Sequence, residues 1–320
     1  MKRLLLITAL LIVLFAFLFL FMRTPNIPLE ALQQRYANSA SQFASIAGMQ
    51  VHFRDEGPRT DSLPLVLLHG TASSLHTWDS LMPFFSHKRI IRLDLPGYGL
   101  TGPHPQSNYR SAMYHAVLDT LLQQRGVARC IVAGNSLGGF LAWTYALDRP
   151  QVQGIILINP GGFTNKAISS NIGFKLAKTP VVNQLVKYIT PVSLFRKSLE
   201  QSVGNPARIT DALVQRHYEL TLRPGNRQAI LDRFQQGFEV ADTNRLRTLQ
   251  IPALILWGQR DQIIPVAHAQ LFEQYLPQPT KIIYPQLGHI PMEEAGAVVA
   301  ADIQAWMARY WKDHYGRGNE

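Results

Sequence analysis

Short apolar runs recur along the chain and set its expected architecture. Leu65–Leu68 is continuously apolar, the pattern of a strand buried on both faces of a parallel sheet. Ile90–Asp94, Cys130–Ala133, Gly154–Ile158, Ala253–Trp257 and Lys281–Tyr284 predict further strands. Met49–Arg54 alternates like a first strand, and Asp55-Glu56-Gly57-Pro58 is expected to turn it. Helical stretches are predicted through Trp78 and Leu81, over Ser111–Gln124, over Phe140–Leu147 and over Pro291–Trp311. From Phe163 to about Arg245 the strand pattern disappears, leaving short helices interrupted at Pro180, Pro191, Pro206 and Pro224. Strands alternating with helices on either side of one helical block predict an α/β fold. Its sheet is open and mostly parallel, flanked by helices and carrying a helical insertion.

The N-terminus departs from this pattern. Met1-Lys2-Arg3 precedes Leu4 to Met22, an uncharged run of almost wholly Leu, Ile, Val, Phe and Ala. At about 1.5 Å per residue it reaches close to the ~30 Å of a bilayer core. It runs into Arg23-Thr24-Pro25 without a small-residue cleavage site, so an uncleaved transmembrane anchor is expected over 4–22. Lys2, Arg3 and the amino terminus outweigh Arg23. The positive-inside tendency then keeps the N-terminus cytoplasmic and the globular part on the outer, periplasmic or extracellular, side. Residues 23–48 are expected to form a polar connector, part of it helical.

Composition narrows the classes. The 320 residues suffice for one large domain with an insertion or for two domains. The single Cys130 excludes an intramolecular disulfide and, within an apolar run, is expected to fill core space. The formal net charge is +10, yet no basic block is interleaved with aromatics, which argues against nucleic acid as a partner. An anionic membrane surface is the better fit for whatever part of that charge is functional. No H-x-x-H or P-loop pattern occurs, and neither a metal nor another cofactor is expected.

The candidate chemistry centres on Cys130–Phe140, an apolar strand followed by Gly134-Asn135-Ser136-Leu137-Gly138 and a helix. That is G-x-S-x-G in a strand–turn–helix context, where Ser136 stands on a sharp turn and only small residues fit two positions to either side. The start of a helix favours developing negative charge there. Downstream, Asp261 follows the Ala253–Trp257 strand and His289 follows the last one. Upstream, His69-Gly70-Thr71 follows Leu65–Leu68. Asn159, at the end of Gly154–Ile158, is neutral, which favours Asp261 as the acid. His69 and Asp94 are read as loop-shaping residues, with substrate contact as the alternative. Glu293 and Glu294 are placed at the start of the last helix, where negative charge suits the dipole.

Serine, then acid, then histidine, each at a strand end, resembles the α/β-hydrolase superfamily over Met49 to Trp311. The branch it is most similar to is that of capped serine esterases and lipases, including membrane-anchored monoacylglycerol-lipase-like members. The resemblance divides the chain into a core (49–160), a helical cap (161–245) and a second core part (246–313). It implies Ser136 as nucleophile, His289 as general base and acid, and Asp261 as the group orienting the imidazole. It places the oxyanion-hole N–H groups at Thr71 and Leu137. Serine rather than aspartate at the elbow disfavours dehalogenases and epoxide hydrolases. The cap holds Phe174, Leu176, Val181, Leu185, Tyr188, Leu194 and Phe195 among Lys166, Lys175, Lys187 and Lys197. These either pack on the core with the lysines in water, or form a basic, greasy surface resting on the bilayer.

The expectation is a membrane-anchored serine hydrolase cleaving small-molecule or lipid-like carboxylic esters through an acyl-enzyme, with no obligate protein partner. A C–C bond hydrolase of aromatic ring-cleavage products or a cofactor-free perhydrolase uses the same three residues. A non-catalytic binding protein on this scaffold is the reading outside enzymes.

Overall fold

The computed structural model describes residues 2–163, 172–179, 182–237 and 242–311. In chain order these form α1 (Lys2–Met22), α2 (Leu29–Tyr36), β1 (Ser41–Ile46), β2 (Met49–Glu56), β3 (Leu65–Leu68), β4 (Ile90–Leu93) and α3 (Ser111–Gln124). Next come β5 (Cys130–Asn135), α4 (Leu137–Ala146) and β6 (Val152–Ile158). The cap follows as α5 (Ile172–Lys178), α6 (Val182–Val186), α7 (Val192–Glu200), α8 (Asp211–Thr221) and α9 (Asn226–Gln235). The core resumes with β7 (Ala253–Gly258), α10 (Ala267–Tyr275), β8 (Pro279–Tyr284), α11 (Pro291–Glu294) and α12 (Gly296–Tyr310).

The described strands make one sheet in the order β1-β2-β4-β3-β5-β6-β7-β8. β2 pairs antiparallel with β1 and with β4, and every other pairing is parallel. The continuous apolar runs have the predicted cause. Val66, Leu68, Val132, Ile255 and Trp257 pack into one core beneath α3, α4 and α10. Their neighbours Leu65, Leu67, Ile131, Leu254 and Leu256 pack into a second core beneath α12. A period-two backbone covered on both faces requires apolar residues at every position. Cys130 lies fully buried in the first core, where burial pushes its thiol up to about 12.

The strand order reverses between β3 and β5: β4 lies outside β3, whereas β6, β7 and β8 extend from the far side of β5. The crevice at that reversal, beyond the carboxyl ends of the strands, is where open α/β sheets carry their sites. The His69–Thr71 loop leaves β3 there and Ser136 leaves β5 there.

Several elements differ from the sequence expectations. β2 runs on through Asp55 and Glu56 rather than turning. The buried Asp55 carboxylate is held by Arg89 Nε at 2.9 Å and Arg125 Nε at 2.9 Å, so a charged residue sits inside a strand because cations reach it. The connector contains strand β1 and docks on the cap. Leu32 packs with Leu100 and Leu220, and Tyr36 Oη donates to Glu219 Oε2 at 2.9 Å. The final helix is broken at Ala295 into α11 and α12. Among the described residues 161–245 contain no strand, whereas Lys166 and Val181 lie outside the described residues.

Leu5, Leu6, Leu10, Val13, Phe17, Leu20 and Phe21 are exposed on α1. The side chains at 2–4, 11, 12, 14–16 and 18 lie outside the described residues. Among the described residues no helix is long and apolar enough to cross a membrane, so they give the span expected over 4–22 no support.

Candidate active site

Ser136 sits between β5 and α4 with φ 54° and ψ −113°, a backbone conformation that costs a non-glycine residue about 1–3 kcal/mol and persists only where its surroundings enforce it. The enforcement is visible. A Cβ on Gly134 would stand 2.1 Å from the Gly138 carbonyl oxygen, and one on Gly138 would stand 2.0 Å from that of Leu68. Gly134 lets β5 and α4 touch through backbone, as the motif predicted, and Gly138 lets α4 touch the end of β3 in the same way. Ser136 N–H donates to Ile158 O at 3.1 Å and its carbonyl accepts from Gly161 N at 3.0 Å, tying the elbow to β6 and the segment after it.

Asp261 follows β7 and His289 follows β8, and the structure brings them together. His289 Nδ1 lies 2.7 Å from Asp261 Oδ2. A carboxylate accepts, so Nδ1 carries the proton, and the neutral ring keeps a lone pair on Nε2. His289 is 5 % exposed, and both it and Ser136 front one cleft. Backbone contacts hold the histidine from two sides. His289 N–H donates to Ser202 O of the cap at 2.7 Å, and His289 O accepts from Asn135 Nδ2 at 2.9 Å.

Asp261 is saturated with donors. Its Oδ1 accepts from Ile263 N at 2.7 Å and Ile264 N at 2.9 Å, and its Oδ2 accepts from Asn159 Nδ2 at 2.7 Å as well as from His289. Sequence reasoning saw Asn159 only as a neutral strand end and gave Asn135 no role. Asn159 has φ 44°, a left-handed conformation directly after β6 that asparagine adopts more readily than most residues with a side chain.

Of the expected oxyanion donors, Thr71 lines the cleft beside Gly70, Ala72 and Ser73. Leu137 opens α4 immediately after Ser136, in the first turn, where helix N–H groups have no intrahelical acceptor. A Cβ on Gly70 would lie 3.2 Å from that of Ser136, so the early loop is pressed against the elbow.

His69 and Asp94 do not line the cleft and are fully buried. His69 Nδ1–H donates to Gly70 O at 2.7 Å, and its Nε2 accepts from Leu95 N at 2.9 Å. Burial pushes this imidazole down to about 4, with Asp94 opposing the shift. Asp94 accepts from Leu75 N, Leu100 N and His52 Nδ1 at 2.8, 2.8 and 2.7 Å. Burial disfavours its charge, but the neighbouring histidines, His52 foremost, together outweigh that penalty and hold the carboxyl well below the usual carboxylate range. Both residues shape loops, the first of the two roles expected.

The depressed His69 makes a stability prediction. Its neutral form is preferred in the fold, so its contribution is complete above the unfolded value of ~6.5 and is lost as pH falls toward about 4. Between pH 7 and pH 5 that loss is about 2 kcal/mol. Urea unfolding of His69→Gln at both pH values should show an acid loss smaller than that of wild type by about this amount. Equal losses in the two proteins would refute the assignment.

Glu293 and Glu294 end the single turn of α11 rather than opening the last helix, and both make contacts with the cap. Glu293 pairs with Arg216 at 2.5 Å. Glu294 accepts from Gly288 N at 2.6 Å and Gly204 N at 2.9 Å, while burial raises its carboxyl. Glu294 therefore fastens the loop before His289 to the cap.

The cleft occupies about 1150 Å³ with its mouth included and is walled chiefly by cap residues: Leu176, Leu194, Phe195, Leu199, Ile230, Leu231 and Phe234. Ile263 and Ile290 close it from the core. Arg227 reaches its edge with Nη1 at 3.1 Å from Thr24 O and Nη2 at 2.7 Å from Asn26 Oδ1. Among the described residues no group of His, Cys, Asp or Glu is arranged to hold a metal ion.

Known proteins resemble this chain in sequence and fold. Lipase 1 of Psychrobacter immobilis is 27% identical over 247 residues, covering 76% of this chain and 76% of that protein. A 2-hydroxy-6-oxononadienedioate/2-hydroxy-6-oxononatrienedioate hydrolase of Pseudomonas putida is 25% identical over 266 residues, covering 78% and 90%. The crystal structure of a membrane phospholipase A superposes with a TM-score of 0.72 at 24% sequence identity, over 97% of this chain and 99% of that one. The family described as alpha/beta hydrolase fold matches residues 64–296, from β3 through α11. Family match, sheet order and elbow agree, and the chain belongs to the α/β-hydrolase family.

Proposed function

We propose that this hydrolase cleaves carboxylic esters with long acyl chains, using Ser136 as nucleophile, His289 as base and Asp261 as orienting acid. The observation carrying the reading is the junction of a strained serine, a histidine held by a carboxylate at 2.7 Å and a shared apolar cleft. In this scheme His289 Nε2 takes the Ser136 proton as Oγ attacks the ester carbonyl, and returns it to the leaving alcohol. Water then enters, activated by the same imidazole, and releases the acid. Thr71 and Leu137 N–H groups bind the oxyanion of each tetrahedral intermediate.

The lining argues for acyl chain rather than small polar substrate. Burying a CH₂ is worth about 0.8 kcal/mol, or up to ~4-fold in kcat/KM per added carbon while the cleft fills. Assays with p-nitrophenyl esters of graded length should show that rise before a plateau. A rate falling steadily from acetate upward would exclude long acyl chains.

The likeness to Lipase 1 supports the ester reading, and the likeness to the Pseudomonas putida dienedioate hydrolase favours carbon–carbon cleavage as the second reading. Fluorophosphonate labelling of the wild type without turnover of any ester would move the second reading to first place. A folded protein that neither labels nor turns over would be a binding protein on this scaffold.

We also propose that α1 anchors the enzyme in a membrane, with the catalytic part on the outer side. The apolar run from Leu4 to Met22 and the flanking Lys2 and Arg3 support this. Thr24 N–H, just past the helix, donates to Tyr188 O of the cap at 2.6 Å, and Leu185, Tyr188 and Val192 nearby are exposed. An anchor leaving from this point would hold the cap close to lipid. Release of the full chain from membranes by alkaline carbonate would exclude the anchor.

A further inference from the structure

His217 belongs to cap helix α8 but is bonded to the loop after β3. Its Nδ1 lies 3.1 Å from the Ala72 carbonyl oxygen. A carbonyl only accepts, so Nδ1 carries the proton and donates. The side chain is 11% exposed and fronts the cleft. Its buried Nε2 has no hydrogen-bond partner. Glu293 Oε1 faces that nitrogen at 3.8 Å, within ion-pair range but beyond hydrogen-bond distance, and is paired with Arg216 at 2.5 Å. The hydrogen bond of this imidazole is therefore to the backbone of one loop.

That loop needs holding. Ala72 has φ 56°, left-handed for a residue with a Cβ, and directly follows Thr71. Strained backbone persists only where neighbours over-determine it. From the core side, His69 Nδ1 ties down Gly70 O at 2.7 Å, and Ser73 N reaches Gly70 O at 3.3 Å. From the cap side, His217 ties down Ala72 O. We propose that His217 is a positioning residue for hydrolysis. By fixing Ala72 it keeps the Thr71 N–H aimed at the oxyanion, and because it rides on the cap, the hole is set only while the cap is seated. The inference rests on the ester-hydrolase reading, with Thr71 as an oxyanion donor.

The test separates the two imidazole nitrogens. His217→Asn places an amide N–H near the position of Nδ1, His217→Gln places it near Nε2, and His217→Leu has no donor. Kinetic constants for p-nitrophenyl butyrate, the rate of fluorophosphonate labelling and the melting temperature are measured for each. Misplacement of a catalytic group by about 1 Å costs on the order of 100-fold. His217→Gln and His217→Leu should therefore lose about 10- to 100-fold in kcat with KM changed less than about 3-fold, and label proportionally more slowly. His217→Asn should recover most of both rates. A role in cap stability alone would lower the melting temperature of all three and leave His217→Asn no faster than His217→Gln, which overturns the proposal. If His217→Leu does not fold, the Asn–Gln comparison decides alone. A wild type that neither labels nor hydrolyses any ester overturns the hydrolase reading and this proposal together. A wild type that does both, with a normal His217→Gln, overturns this proposal only.

Discussion

Ser136→Ala is expected to lower ester turnover by up to ~10⁶-fold, the typical consequence of losing a nucleophile whose partners cannot act without it. The fold should survive. Serine and alanine pay the same backbone cost at φ 54°, and the elbow is held by Gly134, Gly138 and the bonds from Ser136 N and O, none of which needs the hydroxyl. The measurement is kcat for p-nitrophenyl butyrate with circular dichroism and fluorophosphonate labelling in parallel. A folded variant that keeps its activity would end the serine mechanism, whatever the substrate. Folded, unlabelled and inactive protein is the expected result.

Asp261→Asn should cost about 10⁴-fold in kcat with little change in KM, and the reason is directional. Oδ1 of Asp261 faces two fixed backbone donors, Ile263 N and Ile264 N. An asparagine must therefore turn its own carbonyl oxygen toward them. Its NH₂ then confronts His289 Nδ1 and Asn159 Nδ2, where the carboxylate had accepted from both. The imidazole can meet that donor only by moving its proton to Nε2, and a ring protonated there cannot accept a proton from Ser136. Pre-steady-state acylation should slow as much as turnover does. A variant within about tenfold of wild type would mean that another acid orients His289.

The two experiments probe parts of the site that differ in how far sequence could reveal them. The elbow was legible because its determinants are local. An apolar run, G-x-S-x-G and a helical stretch are contiguous, and the steric need for Gly134 arises across that very turn, whereas that for Gly138 comes from the Leu68 carbonyl at the end of β3. Asp261 and His289 were legible through their place after strands and through a resemblance. Nothing in their own neighbourhoods distinguishes them from a helix cap and a loop histidine. Asn159 could not be found in this way. Its value lies in a 2.7 Å bond to a residue on a different strand end, 102 positions later. Glu293 and Glu294 were expected to open the last helix but end the short α11 before the break at Ala295, and the dipole argument missed their cap partners, Arg216 and Gly204. The strand β1 and the buried Asp55 escaped for a related cause. A polar segment becomes a strand, or a charge becomes core, when pairing partners from elsewhere satisfy it, as Arg89 and Arg125 do for Asp55.

What the sequence determined by itself is the order of elements, the two-sided burial of the central strands and the serine on its turn. These follow from side-chain periodicity and from short-range sterics, which act between residues close in the chain. The tertiary structure decided which loops meet at the reversal between β3 and β5 and which asparagines hold His289 and Asp261. It also decided how α8 reaches the Ala72 carbonyl. Those outcomes depend on hydrogen bonds between groups far apart in sequence, and a directional bond forms only when packing of the whole sheet and cap has brought donor and acceptor to within about 3 Å.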